Sequence, residues 1–359
     1  MSRALAATMM RTLYIHCGLP KTGTTSIQTF LARTREGLES IGYDYPSVGL
    51  NPIGNAHHNL TLDILKSPAF APERGGVESF LRHLERPSRP ANAIISSENF
   101  ITCLTRLSQG DERFIEFVRA TRARNDRVCL IFMFRRFSTF LESMYLQKLK
   151  SGRPNSKIED YTAECKQWLK SLFRSLSILN AEFGPENIVL IDLQRSGGDA
   201  LPIFLSAVGI SQSAFELPKA RLNEKLGLKK ASFLYRFQYV SEGVRNQRSA
   251  KDVLRAAKAL TGLPDLPGEI FDYRIIPFED ANAIQEVARL EMPAAFTAAL
   301  ASLATSELAP YTSVHLSDVT LTTSEISAMA RALPLYLYLS HQDKNGGATE
   351  IDTEAVLGS

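Results

Sequence analysis

The fold of this chain is decided by the stretch His16-Cys17-Gly18-Leu19-Pro20-Lys21-Thr22-Gly23-Thr24-Thr25. A short apolar run of strand type, Thr12 to Cys17, leads into it, and apolar residues at helical spacing, among them Ile27 and Leu31, follow it. A strand, a glycine loop and a helix in this order point several backbone N–H groups and the positive end of a helix dipole at one place. The stretch is therefore predicted to bind an anionic group.

The lysine of this loop is displaced by comparison with nucleoside-triphosphate loops. In their pattern, G-x-x-x-x-G-K-[ST], the lysine follows the second glycine. Gly18 and Gly23 keep that spacing here, but Thr24 follows the second glycine and Lys21 precedes it. Neighbouring hydroxyls add further hydrogen-bond donors. An ordinary strand-to-helix turn with an exposed lysine is the alternative interpretation, which the crowding of Gly, Lys and hydroxyl residues disfavours.

Composition indicates one large α/β domain with a helical extension. The chain has 359 residues, of which 44% are hydrophobic, and this is enough to bury a large core. The mild net charge of +3 does not indicate a nucleic-acid partner. No apolar run reaches the length of a transmembrane helix, and the first strand follows Met1 too closely for a removable signal. We therefore expect a cytoplasmic enzyme.

The cysteines are scattered and show no C-x-x-C spacing. They are Cys17, Cys103, Cys129 and Cys165. Reduced thiols in the core are expected, and a zinc site is not.

Four apolar runs are predicted to be buried parallel strands, and polar residues follow each of them. The runs are Thr12 to Cys17, Ala93 to Ile95, Val128 to Phe134 and Ile188 to Ile191. The residues after them are, in the same order, the glycine loop, Ser96-Ser97-Glu98-Asn99, Arg135-Arg136 and Asp192. Because α/β sheets bind ligands at the carboxyl ends of their strands, one shared site is predicted there.

The end of the third run carries a second pattern. Ser138 is predicted to be the N-cap of the next helix. Ser143 lies eight residues beyond Arg135, so the guanidinium at the strand end and the hydroxyl in the helix can converge on one phosphate. Two anion sites on one sheet indicate a ligand with phosphates at both ends.

These residues resemble the sulfotransferases that use 3′-phosphoadenosine 5′-phosphosulfate (PAPS). Gly18 to Thr25 resembles their 5′-phosphosulfate loop, and Arg135 with Ser143 matches the Arg-x₇-Ser spacing of their 3′-phosphate site. Leu19 to Leu31 and Phe134 to Gly152 are similar to bacterial carbohydrate-type members. The resemblance implies a P-loop-like three-layer α/β sandwich around a central, mostly parallel sheet. It also implies that the acceptor is a hydroxyl of a saccharide or glycolipid.

The resemblance assigns roles to individual residues. The resemblance implies that the following loop residues bind the cofactor: Gly18, Pro20, Lys21, Thr22, Gly23, Thr24 and Thr25. Lys21 would contact the bridging oxygen of PAPS and neutralise charge as the bond to sulfur breaks, while Arg135 and Ser143 would grip the 3′-phosphate. Sulfuryl transfer moves a group with one negative charge, so a lysine and oriented amides can stabilise its transition state, and no metal is expected.

The acceptor hydroxyl must also lose a proton, and three residues compete for the role of base. His57 and His58 lie together in a polar cluster, and an unperturbed imidazole titrates near 6.5. Glu98 follows the second strand run. Family members use either a histidine or a glutamate, so the resemblance leaves the choice open. We take His58 as the first candidate and Glu98 as the second.

The domain organisation follows from the same patterns. Residues 10–225 are predicted to form the PAPS-binding core, residues 226–340 an α-helical extension, and residues 341–359 a flexible tail. Gly42 to Pro90 is expected to form loops around one short helix and to cover the acceptor. Arg221, Asn223 and Lys225 loosely match a nucleotide-clasping loop of the family.

Two other functions stay open at this point. A P-loop kinase would use Ile188 to Asp192, which resembles the strand and aspartate that help to place Mg²⁺ in such enzymes. A non-catalytic nucleotide-binding adaptor could share the same fold. The absent lysine at position 24 argues against the kinase, and the intact site residues argue against the adaptor.

Overall fold

A computed structural model describes residues 10–150, 158–193, 199–217, 227–240, 260, 263, 265–268, 270, 272–305, 312–316 and 318–329. Its centre is a parallel sheet of five strands in the order β2-β3-β1-β4-β5. The strands are β1 (Thr12–His16), β2 (Tyr43–Asp44), β3 (Asn92–Ser96), β4 (Arg127–Phe134) and β5 (Ile188–Asp192). The predicted α/β class, with its mostly parallel sheet, is therefore confirmed, as are the four predicted strands.

Helices connect the strands and cover the sheet. They are α1 (Thr24–Arg33), α2 (Arg35–Ser40), α3 (His58–Ile64), α4 (Val77–Leu84), α5 (Phe100–Leu107), α6 (Arg113–Arg122), α7 (Phe137–Lys150), α8 (Ile158–Phe183), α9 (Ala200–Ala207), α10 (Leu228–Val240), α11 (Phe278–Glu291) and α12 (Ala294–Thr305). Short 3-10 turns occupy Pro72–Arg74, Pro185–Asn187 and Gln212–Ala214.

The strands are buried on both faces, as parallel sheets require. In β4 every residue from Val128 to Phe134 is buried, and the pattern shows no alternation of polar and apolar side chains. Beside the sheet, α1 and α9 contribute Ile27, Leu31 and Phe204 to one buried cluster with β4. The four cysteines are buried and free of disulfides, which confirms the expectation of core thiols.

The described chain divides into two compact units. The first comprises the described residues of Met1–Leu141, Thr162–Glu224 and Phe278–Pro310, and it contains the whole sheet. The second comprises those of Glu142–Tyr161, Lys225–Pro277 and Tyr311–Ser359. The predicted boundaries at residues 225 and 340 stay predictions, and the expected tail, residues 341–359, lies outside the described residues.

The structure corrects the capping prediction at α7. This helix begins at Phe137, so Ser138 lies in its first turn and is not the N-cap. The reason is the packing of Phe137, whose buried ring contacts Phe134 and Phe173 at centroid distances of 6.0 and 5.7 Å. Burial of this ring draws residue 137 into the helix.

The segment between Gly42 and Pro90 is more regular than expected. It contains β2, α3, a 3-10 turn and α4, where one short helix among loops was predicted. β2 has only two residues, too few to produce a pattern. α4 buries Phe80 and Leu84, four residues apart on one face, so the spacing was present in the sequence.

Within the described part of the chain, no helix is both long enough and apolar enough to cross a membrane.

Candidate functional site

The glycine loop between β1 and α1 has an unusual backbone. Lys21 has a φ of 67° and Gly23 a φ of 82°, both in the left-handed region, which non-glycine residues seldom adopt. Thr22, between them, is buried and donates a hydrogen bond from Oγ1 to the carbonyl of Leu19 at 2.5 Å. Left-handed residues in a turn direct successive N–H groups into a concave surface that suits an anion.

Both glycines of the loop are required by close packing. A Cβ at Gly18 would lie 2.3 Å from Cγ2 of Thr24, and a Cβ at Gly23 would lie 2.4 Å from Cβ of Ala200. Gly23 is also the N-cap of α1, where it offers no capping side chain, and the first turn carries no acidic residue. The positive end of this helix dipole is therefore not neutralised by its own first turn.

Lys21 lies where the ends of three strands meet. β1 is flanked by β3 and β4, and the connections after β1 and β4 leave in opposite directions, which makes their carboxyl ends the switch point of the sheet. Arg135, after β4, donates from Nη1 to the carbonyl of Lys21 at 3.3 Å. Burial lowers the pKa of the Lys21 amine, the Glu98 carboxylate opposes this shift, and Arg135 adds to it. Lys21, Glu98 and Arg135 thus share one electrostatic environment.

The two leading candidates for the base are neighbours. Nε2 of His58 lies 3.9 Å from Oε1 of Glu98, and their side chains are 23% and 30% exposed. Nδ1 of His58 lies 2.8 Å from Oγ of Ser97. Gln28 of α1 donates from Nε2 to the other carboxylate oxygen of Glu98 at 3.2 Å. Burial lowers the pKa of His58 and Glu98 opposes the shift, so the imidazole is neutral at pH 7.

His57 is held differently from its neighbour. It is fully buried, its Nε2 donates to the carbonyl of Pro46 at 3.0 Å, and its Nδ1 accepts from the backbone N–H of Ser96 at 3.2 Å. These two bonds specify the neutral Nε2–H tautomer. Burial lowers the pKa of His57 to about 3. Both ring nitrogens are engaged, so the geometry favours His58 and Glu98 over His57 as a base.

His16 lies beneath the loop and shares Ser96 with His57. Its Nδ1 lies 2.8 Å from Oγ of Ser96, and its ring packs 4.9 Å from that of Phe204. Nε2 of His16 is buried and has no hydrogen-bond partner among the residues that the structure describes, and it lies close to the position that a Cβ on Gly18 would take. Burial lowers the pKa of His16 to about 3, so this ring supports the loop as a neutral group.

The remaining predicted residues are distributed as follows. Thr24 is buried, Pro20 is half-buried and Thr25 is exposed at the start of α1. Arg135 belongs to the first unit, whereas Ser143 lies in α7 within the second unit, and their convergence on one phosphate stays a prediction. Arg221, Asn223 and Lys225 lie outside the described residues.

Asp192, the residue that a kinase would use, ends β5. β4 separates β5 from β1, so two interstrand spacings, about 10 Å, lie between the ends of these strands. Among the residues that the structure describes, no group of three His, Cys, Asp or Glu side chains is placed to hold a metal ion.

Two contacts of the site were not predicted from the sequence: that of Gln28 with Glu98 and that of Ser97 with His58. Gln28 lies four residues after Thr24, so it is on the same face of α1, and it is buried. A polar residue on the apolar face of a helix was the available signal. Ser97 was part of the polar run after β3, but nothing in the sequence pairs it with His58.

Comparisons with known proteins add no relative. No family model, curated protein or solved structure matches this chain.

Proposed function

We propose that this protein is a cytoplasmic sulfotransferase of P-loop-like fold that moves a sulfuryl group from PAPS to a hydroxyl of an acceptor. The observation that supports this most is the position of Lys21. It precedes the second glycine in a left-handed conformation, and its amine shares the environment of Glu98 and Arg135. A cation and a carboxylate at one strand edge are what sulfuryl transfer needs, one for the leaving group and one near the attacking hydroxyl.

The residues present suit the proposed donor. The left-handed residues Lys21 and Gly23 give the loop a concave backbone that suits an anion, and close packing leaves no room for a Cβ at Gly18. Backbone N–H groups from Thr22 to Thr25 would hold the 5′-phosphate. Arg135 and Ser143 would hold the 3′-phosphate. When bound, PAPS supplies the sulfuryl group and a stable bisphosphate leaving group.

Each polar group near Lys21 has a defined task in this proposal. The Lys21 ammonium, partly removed from water, stabilises developing negative charge more strongly than a solvated lysine does. Nε2 of His58 and the carboxylate of Glu98 are the atoms available to take the acceptor proton. Ser97 and Gln28 hold these two side chains in place.

The acceptor is proposed to be a saccharide or a glycolipid, because the sequence resembles carbohydrate-type sulfotransferases. The kinase is less favoured because Asp192 lies on β5, away from the loop, whereas a kinase needs a metal beside the transferred phosphoryl group.

Calorimetric titration of the full chain tests the proposal. We expect adenosine 3′,5′-bisphosphate to bind at least about tenfold more tightly than AMP or ADP with Mg²⁺, because a second phosphate contributes a charge-assisted contact. Arg135→Ala should remove most of the preference over AMP. Arg33→Ala, an exposed arginine at the end of α1, is the matched control and should leave it unchanged. A preference for ADP with Mg²⁺ would contradict the proposal.

A further inference from the structure

A groove separate from the glycine loop opens between two loop segments of the first unit. One wall is formed by residues 47–54 and the other by residues 72–79, and the cavity between them has a volume of about 570 Å³. This lies within the range of about 300–1000 Å³ that is usual for small-molecule sites. The size suits two or three sugar-sized units.

Hydrogen bonds hold both walls in place. The buried side chain of Asn59 donates to the carbonyls of Ala71 and Gly75 at 2.9 and 2.8 Å, and it accepts from the N–H of Ala71 at 2.9 Å. The N–H of Gly49 donates to the carbonyl of Arg74 at 2.8 Å, which ties one wall to the other. A groove of this kind exists before a ligand arrives, so binding costs little ordering of the loops.

The groove is joined to the candidate base through α3. This helix begins at His58, and Asn59, the residue that fixes the second wall, is its next residue. The N–H of Leu60 donates to the carbonyl of Gly49 at 3.1 Å. Both walls of the groove are therefore hydrogen-bonded to the first turn of α3, the turn that carries His58.

The charges of the groove are balanced. Glu73 and Arg74 are adjacent in the second wall, with Oε1 and Nε 3.9 Å apart and side chains 73% and 37% exposed. Arg74 also donates from Nη1 to the carbonyl of Asn51 at 3.4 Å. One carboxylate and one guanidinium give the lining no net charge, and side by side they accept from and donate to neighbouring hydroxyls. The hydroxyls of Ser47 and Ser79 add to this lining.

We propose that this groove binds uncharged sugar units of the acceptor, beyond the sugar whose hydroxyl reacts. The assignment of these units to the acceptor rests on the proposed sulfuryl transfer. The groove would make the protein selective for neutral over acidic glycans.

Saturation-transfer NMR on the full chain tests the inference with defined probes. Maltotriose, cellotriose and chitotriose are the neutral probes, and trigalacturonic acid is the acidic one. We expect at least one neutral trisaccharide to bind and to be preferred over the acidic one. Glu73→Gln and Arg74→Gln should each weaken the binding of that trisaccharide about tenfold, as expected for a lost hydrogen bond to a charged group. No saturation of any neutral trisaccharide, or equal binding of trigalacturonic acid, would overturn the inference.

A matched pair of variants separates the groove from general surface charge. Glu78→Gln and Arg82→Gln remove an exposed ion pair of α4 that does not line the groove, and binding should not change. If the α4 variants lost as much trisaccharide affinity as Glu73→Gln and Arg74→Gln, the inference would be overturned. Glu73→Gln should also bind adenosine 3′,5′-bisphosphate as the unaltered protein does. If the trisaccharide binds and the bisphosphate does not, the groove stands as a sugar site and the proposed function fails.

Discussion

Two trios of polar residues lie at the same carboxyl edge of the sheet and differ in exposure. The buried trio, His16, Ser96 and His57, is completely inaccessible to solvent. The open trio is Lys21, His58 and Glu98, of which His58 and Glu98 are 23% and 30% exposed. Burial lowers the pKa of both histidines of the buried trio to about 3. The open trio keeps polar atoms at the surface of the site.

Burial separates the supporting groups of this edge from the groups that are proposed to react. His57 and His58 are adjacent in the chain, yet His57 uses both ring nitrogens for backbone bonds while Nε2 of His58 faces Glu98. A histidine with no free nitrogen shapes the site, whereas one with an accessible nitrogen can move a proton.

Loss of the proposed base should have the largest effect. His58→Ala is expected to lower the rate of sulfuryl transfer about 10²- to 10⁴-fold, because a positioned base contributes that much. Since burial lowers the pKa of His58, the rate of the unaltered protein should hold at mildly acidic pH and fall once the imidazole is protonated. pH–rate profiles of His58→Ala and Glu98→Gln make the measurement. Full turnover in His58→Ala with loss in Glu98→Gln would assign the base to Glu98.

Lys21→Ala should lower the transfer rate about 10²- to 10³-fold, the usual cost of one lost group that stabilises developing charge. Binding of adenosine 3′,5′-bisphosphate should weaken far less, because the Lys21 ammonium mainly contacts negative charge that develops during the reaction. Lys66→Ala is the matched control, since Lys66 also has a positive φ but is exposed. Equal losses in rate and in binding would make Lys21 a positioning residue only.

The buried trio should make the protein less stable in acid. His16 and His57 have a folded pKa of about 3, below the unfolded value of about 6.5, so the unfolded state binds protons more readily between these values. The free energy of unfolding should therefore fall as the pH drops below 6.5, by about 1 kcal/mol for each histidine at about pH 5.5.

Urea unfolding at neutral and mildly acidic pH checks this effect. His57→Gln should remove about half of the acid sensitivity that the two histidines contribute. An unaltered pH dependence in His57→Gln would show that this ring is not held neutral by burial.

Ser97→Ala should have the smallest effect, a loss of about tenfold in kcat, because it removes one hydrogen bond that orients His58. The acidic limb of the pH–rate profile should move as well, which a merely structural change would not cause. Ser97→Thr should restore both. Ser108→Ala, a buried serine at the end of α5, is the control for loss of a hydroxyl. If Ser97→Ala lowered the rate without moving the acidic limb of the pH–rate profile, Ser97 would not be a positioning residue for His58.

Much of the fold could be predicted because its signals are local. The apolar runs of β1, β3, β4 and β5 are continuous, and the glycine loop follows β1 at once. β2 was missed because two residues carry no pattern. The N-cap at Ser138 was wrong because the packing of Phe137, a tertiary contact, extends the helix by two residues.

The candidate site was predicted only in part, since its decisive contacts are distant in sequence. The carboxyl-edge rule brought Lys21, Glu98 and Arg135 into one site, and their mutual influence on the Lys21 amine agrees with that expectation. The different environments of His57 and His58 depend on Pro46, Ser96 and Ser97, which no spacing rule connects to them. Burial of a polar residue is a property of the fold and cannot be derived from a motif.

The division between the two trios is tested most directly by ¹⁵N NMR of the histidine rings, recorded over a pH titration with and without adenosine 3′,5′-bisphosphate. We expect the His57 ring to stay neutral as the Nε2–H tautomer to lower pH than the His58 ring, and the signals of His58 to shift when the bisphosphate is added. Protonation of His57 before His58, or His58 signals that do not respond to the bisphosphate, would contradict the division between the two trios.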